Sequence, residues 1–370
     1  MAQREDVNPA VALVRERPLV VVFVALAAVL GIDLVRKLAN GGVLVADLAT
    51  FLWDGTILGM SIGLAGVGLA MTYSILNFAN FAHGDYITAG AFAGWLTTFL
   101  IAGFGEFALQ ALVLIGGPLP ISTADLGISV TATPIAILAG IVVSAATTAG
   151  LALLLDRYVF KPMRDQRGIS LLIASVGVAL ALRYLLVYVF QASSRGLTAG
   201  AKTPSFQLGI GQGSLPINAH EVTLVVLAAG LMLATHVVLK YTKLGTAMRA
   251  MADNEDLARV SGIPTERVVR ATWLLGGALT GISGYLIALE RGVLTTGLGW
   301  ELLLLIFAAV ILGGIGSVYG AMVGGLVIGL ASRVSLVWLP ESFIIVAAFA
   351  VMIAMLLVRP QGILGGVTTV

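Results

Sequence analysis

Asn77, Asn80 and His83 recur every three residues where an apolar stretch gives out, and Gly84 and Asp85 follow directly. On a helix the three polar side chains share one side. Gly84 is then expected to break that helix, and Asp85 to cap the next one. A discontinuous helix leaves backbone N–H groups unpaired, and such groups can meet a carboxylate. The alternative is a polar hinge at a membrane interface, where Asn and His close helix ends. Arg183 lies well inside another apolar stretch, residues 169–190. A charge at a bilayer centre costs about 2.5–3.5 kcal/mol on insertion scales, so it must face a bundle interior or reach outward. Facing inward, it can attract a carboxylate or make a structural hydrogen bond. Gly313, Gly314 and Gly316, with Ser317, interrupt a third apolar stretch. They can bring backbone close to a solute path or let helices pack. All of this is binding chemistry. The chain has no cysteine, which excludes disulfides, thiolate metal sites and cysteine nucleophiles. Its three histidines (His83, His220, His236) show no metal-ligand spacing, and no cofactor is expected.

The elements that hold these residues are membrane helices. Of 370 residues, 59% are hydrophobic and 11% charged. A soluble domain carries about 25% charged residues. Mean hydropathy is +1.03, so most of the surface must face lipid. The net charge of +2 is too small to argue for nucleic acid. Apolar stretches of membrane-spanning length run over 18–38, 56–76, 86–104, 132–155, 169–190, 221–240, 271–290 and 342–358. Residues 107–121 are apolar but short, suiting half a span or an interfacial segment. Residues 302–337 read as two helices meeting near 313–317. The expected fold is all-α, a polytopic bundle of about 8–10 transmembrane helices. Arg4, Arg15 and Arg17 precede the first stretch, which reads as a retained first helix; a cleaved signal is the other reading.

Lys and Arg in short loops orient such a bundle. Loop 156–167 holds Arg157, Lys161, Arg164 and Arg167, and loop 240–270 holds Lys240, Lys243, Arg249, Arg259, Arg267 and Arg270. Alternating spans place both loops and both termini in the cytoplasm. Arg36, Lys37, Arg195, Lys202 and Arg291 fall on the opposite side, so the asymmetry is a bias. Gly59 and Gly63, and Gly320 and Gly324, have the spacing that puts both glycines on one helix face. That spacing fits close packing within one subunit or a dimerisation face.

Residues 243–270 are long for a connection between membrane helices. A short helix is expected over 246–260, with Ala247, Met248, Met251, Leu257 and Val260 on its apolar side. Gly262 ends it and Pro264 prevents its continuation. Its charges are mixed, Asp253, Glu255 and Asp256 beside Arg249 and Arg259. That mixture suits a groove on a partner protein better than an anionic lipid surface.

Asp256-Leu257-Ala258, followed after three residues by Gly262, resembles the EAA motif of ABC importer permeases. It departs by Asp for Glu and Leu for the first Ala. In that family the motif forms a coupling helix seated in an ATPase subunit, which implies coupling roles for Arg249, Asp253, Asp256, Leu257, Ala258 and Gly262. Residues 77–85, Asn-Phe-Ala-Asn-Phe-Ala-His-Gly-Asp, resemble the NFAHG signature of branched-chain amino acid permeases. Val159 to Arg164 with Leu171 to Gly177, Leu312 to Ser317 with Tyr319 to Gly325, and Arg359 to Gly365 are similar to later segments of the same family, in family order. Residues 1–50 lie outside the resemblance and read as an N-terminal extension with the first membrane helix, ahead of a permease domain over 51–370 and its coupling loop at 243–263.

The resemblance implies a transport subunit in a prokaryotic cell membrane, not an enzyme. Its implied partners are a second related permease, two cytoplasmic ATPase subunits, an external binding protein and an amino-acid substrate. No G-x-x-x-x-G-K-[ST] segment occurs here, in keeping with ATP hydrolysis by separate subunits. Urea and short-amide permeases share much of the pattern and remain an alternative. An ion-coupled secondary transporter is a second one, but it favours several carboxylates inside spans, and the acidic residues here fall almost wholly at predicted ends and loops. The implied substrate path runs past Asn77, Asn80, His83, Gly84, Asp85, Arg183, Gly313, Gly314, Gly316 and Ser317.

Overall fold

The computed structural model describes residues 18–108, 121–166, 168–198 and 203–365. Arg4, Arg15, Arg17, Arg167, Lys202 and nearly all of the short apolar stretch 107–121 lie outside the described residues. In chain order the helices are α1 (Pro18–Ala39), α2 (Val45–Leu76), α3 (His83–Ala102), the single turn α4 (Thr123–Leu126), α5 (Pro134–Leu155), α6 (Gly168–Phe190), α7 (Ala219–Tyr241), α8 (Lys243–Asp253), α9 (Glu255–Val260), α10 (Thr265–Arg291), α11 (Leu298–Gly313), α12 (Val318–Val334) and α13 (Ile344–Val358). Eight of the described helices are long and apolar enough to cross a bilayer: α1, α2, α5, α6, α7, α10, α12 and α13, counting the flanking turns of α5, α12 and α13. The fold is an all-α polytopic membrane bundle.

Burial sorts these helices into an inner and an outer set. In the most apolar windows of α2 and α10, 94% and 83% of the residues are buried, whereas none is in that of α1. Helix α1 lies against α13. It is fastened at one end, where Lys37 Nζ donates to the Val337 carbonyl at 3.1 Å and Trp338 Nε1 donates to Asp33 at 3.0 Å. Exposed apolar residues along α1, such as Val22, Val29 and Ile32, suit contact with lipid.

Inside, glycine sets the spacing. Helices α2 and α12 pack so closely that a Cβ on Gly325 would sit 2.4 Å from the Gly63 Cα, and one on Gly329 2.4 Å from the Gly59 Cα. Gly320 and Gly324 likewise meet Gly313 and Ala309 of α11. Both four-residue glycine spacings therefore serve packing within this chain, where close backbone approach replaces the hydrophobic drive absent in lipid.

Two ends can be distinguished. A hairpin of β2 (Ser205–Ile210) and β3 (Gly213–Asn218) covers one end, beside a short pairing of β1 (Arg195–Gly196) with β4 (Val293–Leu294). The opposite end gathers the basic loops. Arg164 grips Asp156 through two bonds of 2.6 and 2.7 Å and reaches Glu266 at 2.8 Å, and Lys161 meets the same Glu266 at 2.8 Å. Loops distant in sequence thus close on each other through α10.

Three boundaries differ from the sequence expectation. Helix α2 begins at Val45 rather than near residue 56, because Asp47 closes its first turn by accepting the Leu44 N–H at 3.0 Å. Helix α10 starts at Thr265, so its first turns are the charged residues Glu266, Arg267 and Arg270. The expected single helix over 246–260 is two, α8 and α9, because Asn254 is extended (φ −161°, ψ 107°) and caps α9 by accepting the Leu257 N–H.

Candidate functional site

Helix α2 ends at Leu76, and Asn77 closes it in the left-handed region at φ 53°. A short amide side chain tolerates that conformation better than most. Residues 78–82 form no helix. Asn80 is fully buried and accepts the Ala82 N–H at 3.1 Å, shaping the unwound segment. The Phe81 N–H donates to Ser175 Oγ of α6 at 3.0 Å, so α6 supplies a partner that the missing helix would have provided. Helix α3 then starts at His83.

Two expectations are corrected here. Asn77, Asn80 and His83 do not share a helix face, since the helix stops at the first and restarts at the last. Gly84 is not the breaker and Asp85 is not a cap; both lie in the first turn of α3, and the N-cap is Ala82 without a side-chain bond. Gly84 is needed for a different reason, as a Cβ there would sit 2.8 Å from the Gly299 carbonyl oxygen of α11.

Nor does the segment stay at an interface. His83 Nε2 lies 2.9 Å from the Ala65 carbonyl and 3.3 Å from Thr280 Oγ1. At 1.5 Å per residue, Ala65 is about 16 Å from the C-terminus of α2. Between Asn77 and His83 the unwound chain therefore climbs from the basic end into the bundle.

There it meets a second helix start. Helix α11 begins at Leu298, and the Gly299 N–H donates to Thr88 Oγ1 of α3 at 3.0 Å. The N-termini of α3 and α11 are thus brought side by side inside the protein. Arg183 of α6 reaches the same place. Its Nε stands 3.7 Å from Asp85 Oδ1, and its guanidinium lies 4.6 Å from the centroid of the Trp300 ring. Phe81 of the unwound segment packs on Phe307 of α11, centroids 4.9 Å apart. Arg183 therefore faces inward and pairs with a carboxylate, a partnership between residues far apart in sequence. Trp300, Thr88, Ser175 and Thr280 were not among the expected site residues. The only signal for Trp300 was its place at the start of the broken apolar stretch.

Gly313, Gly314, Gly316 and Ser317 lie elsewhere. Gly314 and Gly316 are left-handed (φ 111° and 84°), and Ser317 caps α12 by accepting the Gly320 N–H at 2.9 Å. The C-terminal segment covers this turn: the Ile363 and Leu364 N–H groups each donate at 2.9 Å, to the carbonyls of Leu312 and Gly313. These residues form a strapped turn at the basic end, apart from the Asp85–Arg183 pair.

The connection between α7 and α10 presents a mixed surface at that same end. Met248, Met251 and Ala258 are buried against the bundle, so the expected apolar side is divided. Leu257 and Val260 point away, 62% and 81% exposed, among Glu255, Asp256 and Arg259. Asp253 is also exposed. Arg249 is turned inward and donates to the Leu239 carbonyl and to Thr246. Gly262 ends α9's turn at φ 83° with no atom near a Cβ placed there.

At the hairpin end a cavity of about 490 Å³ is lined by His220, Glu221, Glu290 and Arg291, among others. Trp53 Nε1 fixes Glu221 by donating to it at 2.8 Å. Nearby, burial holds the Arg195 guanidinium below its ordinary value; the group donates to the Phe190 carbonyl at 3.0 Å and lies over Trp95.

Comparison with known proteins matches residues 51–358 to the family described as branched-chain amino acid transport system, permease component. The high-affinity branched-chain amino acid transport system permease protein LivH of Escherichia coli K12 is 30% identical over 323 residues, covering 85% of this chain and 94% of that protein. BraD of Pseudomonas aeruginosa is 26% identical over 313 residues, 84% of this chain and 94% of its own. A probable branched-chain amino acid transport permease protein LivH of Methanocaldococcus jannaschii is 27% identical over 309 residues, with 82% and 88% covered. No solved structure matches the chain significantly. With an unwound segment at the heart of a multi-pass bundle and a family match spanning most of its length, the chain belongs to the branched-chain amino acid transport system permease family.

Proposed function

We propose that this chain is the permease subunit of a binding-protein-dependent ABC importer that moves branched-chain amino acids into the cytoplasm. The observation that carries the reading is the exposed α8–α9 surface. Leu257 and Val260 stand out from a base anchored by Met248, Met251 and Ala258. Two exposed apolar side chains ringed by charges on a short helix fit a surface that seats in a groove of another protein. In this reading the cover is an ATPase subunit, and ATP hydrolysis there drives transport. Two such subunits, a second related permease and an external binding protein complete the importer.

The basic end is cytoplasmic in this proposal, with both termini, and the hairpin end faces outward. Residues 1–50 act as an extension whose helix α1 lies on the bundle's edge, and residues 51–370 form the permease proper. The substrate class follows that of the relatives LivH and BraD, branched-chain amino acid transport permeases.

The test is substrate-stimulated ATP hydrolysis in the assembled importer. Stimulation should vanish when this chain is omitted or residues 243–263 are scrambled. Hydrolysis that responds to substrate equally well without the loop defeats the assignment.

A further inference from the structure

The Asp85–Arg183 pair leaves more hydrogen-bonding capacity unused than its burial should permit. The Asp85 side chain is 2% exposed and that of Arg183 23%. Their separation of 3.7 Å is too long for a charged hydrogen bond. Asp85 Oδ1, Arg183 Nε and Arg183 Nη2 are all buried and have no hydrogen-bond partner. Such groups are expensive to leave unmet inside a protein, and more so at membrane depth. A pair placed only for stability would close to 2.6–2.7 Å, as Arg164 does with Asp156.

The unmet groups are complementary to one kind of molecule. Two guanidinium N–H donors in a planar fork match a carboxylate. The N-termini of α3 and α11, brought together by Gly84 and Gly299, favour negative charge at the same place. The unpaired Asp85 oxygen matches an ammonium group. Both charges lie within one small region, the spacing of an α-amino acid's own two ends. The Trp300 ring lies against the guanidinium, its centroid 4.6 Å away.

We infer that Asp85 and Arg183 form a binding station inside the membrane for the zwitterionic headgroup of the transported amino acid. The inference rests on the transport function proposed above and adds the residues that hold the substrate. Without substrate the two side chains face each other loosely. With substrate, Arg183 takes the carboxylate and Asp85 the ammonium, while Trp300 keeps the guanidinium in place through its ring face. The unwound segment 77–82, tied to α6 through Ser175, moves Asp85 and Arg183 together or apart as α3 and α6 shift.

The experiment uses the complete importer in proteoliposomes with saturating loaded binding protein, following uptake of labelled leucine and ATP hydrolysis in parallel. Arg183→Lys and Asp85→Asn should each lower uptake by about tenfold or more, the loss of a charge-assisted bond, with subunit assembly and ATP hydrolysis retained. The double variant Asp85→Asn/Arg183→Gln removes both charges and any structural penalty of leaving one alone. A station for substrate predicts that the double variant stays as defective as the singles. Recovery of uptake in the double variant, or near-normal uptake in Arg183→Lys, overturns the inference and leaves the pair as structure. Arg183→Lys decides the matter if the double variant does not assemble. Wild-type importer that carries no aliphatic amino acid at all overturns the transport reading and this inference together.

Discussion

Arg164 and Arg183 show how one residue type is used in two ways. Arg164 saturates Asp156 and Glu266 at the basic end, and Arg183 holds Asp85 at arm's length within the bundle. Removing Arg164 strands an Asp156 side chain that is 6% exposed. Arg164→Ala should therefore cost about 2–3 kcal/mol, whereas Lys161→Ala, from a pair nearly half exposed, should cost under about 1 kcal/mol. Thermal unfolding of the purified chain in detergent compares the two directly. Gly262 is a third instructive residue. Its left-handed turn costs a side chain about 1–2 kcal/mol, yet nothing stands where the Cβ would go. Gly262→Leu should insert and fold while coupling fails, read as lost uptake with normal membrane levels. Unchanged uptake removes Gly262 from the coupling assignment.

At the level of elements, the α2–α12 contact is the least tolerant part of the bundle. Gly325→Leu would drive a side chain into the Gly63 backbone and should destabilise the fold by at least about 1–3 kcal/mol, measured as a lowered midpoint of thermal aggregation. The same substitution at Gly150, with nothing within 4 Å, should be close to neutral. Most spans were legible in the sequence because long apolar runs have one stable fate in a bilayer. Their ends were less so: Asp47 and Asp54 dilute the start of α2, and Glu266, Arg267 and Arg270 dilute that of α10. The candidate site was legible only as a list. Asn77, His83, Asp85 and Arg183 stood out as polar residues in apolar surroundings. Where the helix stops and restarts depends on Ser175 of α6, Thr280 of α10 and Ala65 three turns back in α2, and no local pattern reveals them. Gly84 looked like a breaker because glycine does break helices, but here its missing side chain admits Gly299.

For the whole molecule, the proposal assigns the basic end to the cytoplasm and the hairpin end to the outside. The chain has no cysteine, so single cysteines can be introduced without removing native ones. Ser214→Cys on the hairpin should react with a membrane-impermeant maleimide in intact cells, and Ser261→Cys beside α9 only after permeabilisation. The reverse pattern inverts the topology and detaches the α8–α9 surface from any cytoplasmic ATPase. The central claim is that ATP hydrolysed by partner subunits drives amino-acid movement through this chain. It is tested most directly by leucine accumulation in proteoliposomes holding the assembled importer, with binding protein outside and ATP inside. The account predicts accumulation that requires ATP and is indifferent to imposed proton or sodium gradients. Accumulation driven by either gradient without ATP would contradict it.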